Sequence, residues 1–228
     1  MLTRRWRRGG HDVSSSPIDN PLLAAFELAV QRRNNLDEVR AALVGRYAFA
    51  IPTARAIATI GASSPAGVVE LGAGTGYWAW LLDRAGIDVV AFDIAPAPSP
   101  SNKWFGGIEP WHPVRAGDEL MLSHFPSRTL LLVWPTRNEI WAADALETYR
   151  RAGGQTVVYV GETAGGRTGD DVFHARLGQL RGCSQCRLGA PLSPCICGVT
   201  PRWRLRRSVT LPHWPGYNDD LHLFERIP

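Results

Sequence analysis

Residues 68–93, VVELGAGTGYWAWLLDRAGIDVVAFD, constrain the fold more than any other stretch of the chain. Val68-Val69-Glu70-Leu71 is a short apolar run that predicts a buried strand, and it breaks at a turn containing Gly72, Gly74 and Gly76. A strand that reverses into a helix within so few residues needs backbone angles that glycine adopts without strain. The missing Cβ atoms also let a neighbour approach closely. Tyr77 to Ala85 then reads as a helix and Asp88 to Phe92 as a second strand, followed at once by Asp93. Such a strand, glycine turn, helix and strand predict a crossover unit with a ligand site at the switch point of an open sheet.

The spacing narrows the ligand. A dinucleotide fingerprint, G-x-G-x-x-G, would place its third glycine at position 77, which is Tyr77 here. The turn is instead G-x-G-x-G, with Glu70 two residues before the first glycine and no basic residue to meet a pyrophosphate. A cationic ligand with an amino-acid end suits it better than a dianion. Asp93 stands where a carboxylate can accept hydrogen bonds from ribose hydroxyls.

The remaining chain extends the same pattern. After a basic arm (residues 1–19), Asn20-Pro21 predicts a capped helix start, and Leu22, Leu23, Phe26, Ala29 and Val30 recur at helical spacing to about Arg33. Leu36 to Val44 and Pro52 to Ile60 predict two more helices, so residues 20–66 read as a helical cap on the sheet edge. From residue 67 to 228 strands and helices alternate. A brief strand is expected near Val114, buried strands at 129–133 and 156–160, helices at 138–151 and 170–180, and a final hairpin from Trp203–Leu211 and Leu221–Ile227. This predicts an α/β fold with a mainly parallel sheet covered on both faces.

Composition excludes some classes. Apolar residues make up 45 % and charged residues 20 %, with no apolar run long enough to cross a membrane, and the polar stretch after the basic start is unlike a secretory signal. The reading is cytoplasmic. The net charge of +4 equals the four arginines Arg4, Arg5, Arg7 and Arg8, so the rest of the chain is formally neutral. That arm suits either a disordered tail or a contact to nucleic acid.

With these residues in view, 68–93 resemble the first two motifs of class I S-adenosylmethionine (SAM)-dependent methyltransferases. Val114-Arg115-Ala116-Gly117-Asp118 is similar to the family's next motif. The span 47–228 resembles a little-described group with Y-x-(W/F)-A-I-P at Tyr47 to Pro52, V-W-P at Val133 to Pro135, V-Y-V-G-E at Val158 to Glu162 and W-P-G at Trp214 to Gly216. The resemblance implies a Rossmann-like, seven-stranded sheet with a C-terminal antiparallel hairpin. It implies SAM bound by Glu70, Gly72, Ala73, Gly74, Gly76, Tyr77, Asp93, Ile94, Asp118, Trp134 and Tyr47, and methyl transfer, but it names no acceptor; an O or N atom of a small molecule is the first expectation. A nucleic-acid or protein acceptor, or SAM binding without catalysis, are the alternatives.

Trp134-Pro135-Thr136 should face the reacting centre. Tryptophan replaces the hydrogen-bonding side chain that methylases of base amino groups carry there, which argues against that chemistry. A two-lysine ribose methylation site is excluded, because Lys103 is the chain's only lysine. Trp134 either stacks on a flat acceptor and the sulfonium or packs under the cap. Glu162, His174 and Asp170 are the candidate bases, although His174 suits a structural role better than a catalytic one and Asp170 also suits a helix cap. Finally, Cys183, Cys186, Cys195 and Cys197 form a cluster in an insertion at 183–198. Their spacing suits a structural zinc, with unpaired thiols or disulfides as the other readings.

Overall fold

The computed structural model describes residues 19–180 and 196–228. Three helices open it: α1 (Pro21–Gln31), α2 (Leu36–Val44) and α3 (Ala54–Ala62). Each starts at a side-chain cap, with Asn20, Asn35 and Thr53 accepting from the backbone N–H of Leu23, Asp37 and Ala56. Asn20 does more than cap. Its amide donates to the Pro52 carbonyl at 2.8 Å and its oxygen accepts from the Tyr77 hydroxyl at 2.8 Å. One residue thus ties α1 to the start of α3 and to the helix after the glycine turn.

The crossover unit follows as expected: β1 (Val68–Leu71), α4 (Tyr77–Arg84) and β2 (Val89–Asp93). Then come β3 (Val114–Ala116), a 3₁₀ turn (Glu119–His124), β4 (Thr129–Val133), α5 (Trp141–Arg151), β5 (Thr156–Gly161), α6 (Asp171–Arg176), β6 (Trp203–Thr210) and β7 (Asp220–Arg226). They form one seven-stranded sheet in the order β3-β2-β1-β4-β5-β7-β6. The strands from β3 to β5 are parallel, and β7 runs antiparallel to both of its neighbours, β5 and β6.

Alternation along the central strands divides the core in two. Val68, Leu131 and Val158 face a layer holding α3 and α4, where Ile57, Ile60, Leu81 and Leu82 meet them. Val69, Leu130, Leu132, Val157 and Tyr159 face α5 and α6, where Leu146, Tyr149 and Phe173 cover them. Both faces of β4 are therefore dry, and each leucine buried there contributes about 1.5–3 kcal/mol. The helical cap shares the first of these clusters through Leu22, Ile51, Ile57 and Ile60, so it covers a face of the sheet and not its edge. The sheet's edges are β3 and β6, and on β6 Arg204, Arg206 and Arg207 are exposed and discourage pairing with another chain.

Two expected helices are shorter in the structure. The helix predicted from Asn138 starts only at Trp141, because Asn138 has a left-handed backbone (φ 60°) and Thr136 bridges antiparallel to Thr168. The helix expected to reach Leu180 ends at Arg176, just before Gly178 (φ 72°). No helix among the described residues is long and apolar enough to cross a membrane. The basic arm, apart from Asp19, lies outside the described residues, as do Cys183, Cys186 and Cys195.

Candidate functional site

A cavity of about 680 Å³ opens over the C-terminal ends of the parallel strands, where ligands bind in open α/β sheets. Its size lies within the usual range of about 300–1,000 Å³ for small-molecule sites. The glycine turn, Glu70, Asp93, Ile94 and Asp118 line it, as do Tyr47, Tyr77 and Trp134. Among the residues expected at the cofactor, Gly76 alone is absent from the lining; it caps α4 in a left-handed conformation (φ 70°).

Glu70 is the most unusual group in the site. It is 1 % exposed, and burial, aided slightly by the nearby Asp93 charge, pushes its carboxyl up to about 8 from an ordinary 4.5. Its Oε2 has no hydrogen-bond partner among the described residues. A buried, unpartnered carboxylate oxygen is costly unless something else satisfies it. Asp93, by contrast, is anchored. Its two oxygens accept from the backbone N–H of Gly74 and of Ala95, both at 3.0 Å, which fixes the turn and still leaves lone pairs free. Asp118 caps the 3₁₀ turn through the Leu120 N–H at 3.0 Å and is exposed, and Ile94 beside it is 82 % exposed.

The glycines act partly through aromatic neighbours. Gly72 (φ 72°) and Gly74 (φ 56°) both have left-handed backbones; a Cβ on Gly72 would lie 2.8 Å from the Trp141 ring, and one on Gly74 2.5 Å from the Phe105 ring. Those rings wall the cavity, so here the bare backbone admits side chains of this chain itself. Thr75 locks the turn from below, its hydroxyl donating to the Tyr47 carbonyl. The Tyr77 hydroxyl is occupied by Asn20 and by the Leu22 N–H at 3.1 Å.

Trp134 has a left-handed backbone (φ 54°), a conformation costly for a bulky residue and held only where surroundings enforce it. Its own N–H donates to the Val160 carbonyl at 2.8 Å, and its indole N–H donates to Asp219 Oδ1 at 2.7 Å. Its ring stacks on Phe49 with centroids 4.6 Å apart and planes 11° apart. Burial, with the Glu162 charge adding to it, pushes the Asp219 carboxyl up to about 6, although the Trp134 hydrogen bond draws it down.

The expected bases lie elsewhere. Glu162 Oε2 accepts from the Arg167 N–H at 2.6 Å and Oε1 from the Asn218 N–H at 2.9 Å, so this carboxylate joins two loops. His174 is buried, with Nδ1 against Gln179 Oε1 and Nε2 against the Thr168 carbonyl, both at 2.7 Å. Asp170 caps α6 through the Phe173 N–H at 2.9 Å. None of the three lines the cavity. Of the four cysteines, Cys197 alone is described, and it is exposed; the expected zinc cluster thus falls mainly outside the described residues.

Sequence reasoning missed Phe49, Trp104, Phe105, Arg137, Trp141, Arg167 and Asp219. The first six line the cavity from irregular segments or a helix start, and Asp219 supports Trp134 from the turn before β7. Asn102 carries one such segment: its oxygen accepts from the N–H groups of Trp104 and Phe105 at 3.0 and 2.7 Å, and its amide donates to the Ala95 carbonyl at 2.7 Å. The Asn102-x-Trp104-Phe105 pattern was the one available signal.

No protein-family model matches the chain, and no curated protein sequence matches it. Among solved structures, it is similar to a magnesium protoporphyrin IX methyltransferase from Synechocystis PCC 6803 at 11 % identity, covering 95 % of this chain and 88 % of that one, with a TM-score of 0.43. It is also similar to a putative tRNA (m1A22) methyltransferase from Streptococcus pneumoniae at 10 % identity, covering 77 % and 70 %, with a TM-score of 0.44. An antibiotic-resistance methyltransferase, Kmr, is similar at 18 % identity, covering 78 % and 94 %, with a TM-score of 0.39. The strand order, with β7 alone reversed in a mostly parallel seven-stranded sheet, is a Rossmann-like α/β arrangement.

Proposed function

We propose that this protein is a methyltransferase that uses SAM and methylates an O or N atom of a small molecule. The observation that carries the reading is Glu70, a buried carboxylate lining the cavity with one oxygen left without a partner. A cation is the natural complement of that oxygen. SAM carries two cationic centres, a sulfonium and an α-ammonium, and no phosphate.

The residues present fit it. Glu70 would face the amino-acid end, the free lone pairs of Asp93 would accept from ribose hydroxyls, and Ile94 and Asp118 would flank the adenine. Bound there, SAM supplies an electrophilic methyl group. The chain's part is placement: Asp93 and Thr75 hold the turn rigid, and the stacked Trp134 and Phe49 exclude water beside it.

Calorimetry with SAM and S-adenosylhomocysteine tests this. Saturable binding of both, with no binding of a nicotinamide dinucleotide, is expected. Indifference to both sulfur compounds, or preference for the dinucleotide, would sink the proposal.

A further inference from the structure

The cavity changes sign along the sheet. In the order β3-β2-β1-β4-β5, the charged groups lining it from the first three strands and their loops are Asp118, Glu119, Asp93 and Lys103, with the buried Glu70 carboxyl beside them. Beyond β4 and β5 they are Arg137, Arg167 and Glu139, so the two arginines outnumber the one carboxylate there. These two arginines belong to a short ribbon closed by the Thr136–Thr168 bridge and by the Gly169 N–H donating to the Pro135 carbonyl at 2.9 Å. Neither guanidinium has an ion-pair partner among the described residues. A third cation, Lys103, lies 3.9 Å from Glu139, and both side chains are at least half exposed, so that pair neutralises little. Arg167 is fixed at the rim by the Tyr217 ring, whose centroid is 4.2 Å from its guanidinium carbon.

The cavity is also walled by flat rings. Phe49 stacks on Trp134 and meets Trp104 and Phe105 edge-on, each at 5.7 Å. Such surfaces favour a flat aromatic partner. The proton chemistry agrees. Glu162 and His174, the candidate bases after β5, are committed to other partners away from the cavity. An acceptor whose own anionic oxygen takes the methyl group has no proton to lose and needs no such group.

We propose that the acceptor is a planar aromatic compound bearing an anionic group, a carboxylate or a phosphate. Its ring lies against Trp134 and Phe49, and its anion is held by Arg137 and Arg167. This rests on the reading of the other half as the SAM site, and the test separates the two.

Naphthoate, naphthyl phosphate and uncharged naphthalene methanol are titrated by calorimetry into the full chain, with and without S-adenosylhomocysteine. At least one anion should bind tenfold or more tightly than the alcohol, and the tighter of the two identifies carboxylate or phosphate. The double variant Arg137→Gln/Arg167→Gln should lose that preference while keeping its affinity for S-adenosylhomocysteine. Both side chains are exposed at the rim, so the variant should fold, which circular dichroism checks. Equal binding of alcohol and anions, no binding of any naphthyl compound, or unchanged anion affinity in the double variant would each overturn the inference. Arginine-dependent anion binding by a protein that ignores S-adenosylhomocysteine would support this slot and remove the methyltransferase reading.

Discussion

The two halves of the cavity are built by different means. Over β1 and β2, the functional groups are short-range: Glu70, the glycine turn and Asp93 lie within one crossover unit, and Asp93 hydrogen-bonds the turn it faces. Over β4 and β5, the groups come from residues 134–137 and 167, with Phe49 stacked on Trp134, and with Tyr217 and Asp219 supporting it, brought together by tertiary contacts. The first half is a property of a local backbone path. The second is a property of the whole fold. Damage to the first should therefore abolish cofactor binding outright, and damage to the second should leave it intact while altering the acceptor side.

Gly74→Val should give the largest effect. A branched side chain there is strained by the positive φ and collides with Phe105, so binding of S-adenosylhomocysteine should fall below detection by calorimetry. Asp93→Ala comes next. It leaves the Gly74 and Ala95 N–H groups without their acceptor, and should weaken binding by about 1–3 kcal/mol, roughly five- to 150-fold. Full affinity in both variants would break the assignment of this half to the cofactor.

Glu70 sharpens the comparison through pH. Without a bound cation its carboxyl titrates near 8, so at neutral pH it is mostly protonated. A cationic ligand favours the carboxylate and lowers that value, so binding releases a proton. Affinity for SAM should rise about tenfold between about pH 6 and pH 7, and calorimetry in buffers of different ionisation enthalpy should detect the proton. Glu70→Gln should abolish both signals. The sign for stability is opposite. Because the folded value lies above the ordinary one, the ligand-free protein loses stability as pH rises from about 4.5 to about 8. Glu70→Gln should remove that decline in thermal melts.

The unequal legibility of the halves has a physical cause. β1, α4 and β2 follow from hydrophobic periodicity and from the few residues that tolerate left-handed backbone, and both signals act over short distances. That is why Glu70 and Asp93 could be placed beside one another from spacing alone. Arg137 and Arg167 could not, because nothing local announces that Thr136 will pair with Thr168; the apparent helix signal from Asn138 onward even pointed away from a ribbon. Glu162 and His174, expected as bases, lie outside the cavity lining for a related reason. Their position after β5 was right, but a sequence does not show that backbone N–H groups from 167 and 218, or the Gln179 amide and the Thr168 carbonyl, already claim them.

On the acceptor half, Asp219→Ala tests whether the Trp134 pose is enforced. Loss of the indole hydrogen bond, buried at its carboxylate end, should cost about 1 kcal/mol of stability. It should also free Trp134 from its left-handed backbone, seen as a change in tryptophan fluorescence. Affinity for S-adenosylhomocysteine should move less than twofold. A large loss of that affinity would mean the halves are coupled.

The smallest effect is expected from His174→Gln. The imidazole lies outside the cavity and supports the 163–170 loop through the Thr168 carbonyl. A glutamine can restore a donor toward that carbonyl, so the cost is one imperfect buried hydrogen bond, about 0.5–1.5 kcal/mol in a melt. Methyl transfer, measured as S-adenosylhomocysteine release, should keep its pH profile and lose little of its rate. If His174 instead supplied a base, the rate would fall about 10²–10⁴-fold. That result would return the proton chemistry to α6 and remove the argument that the acceptor arrives already charged.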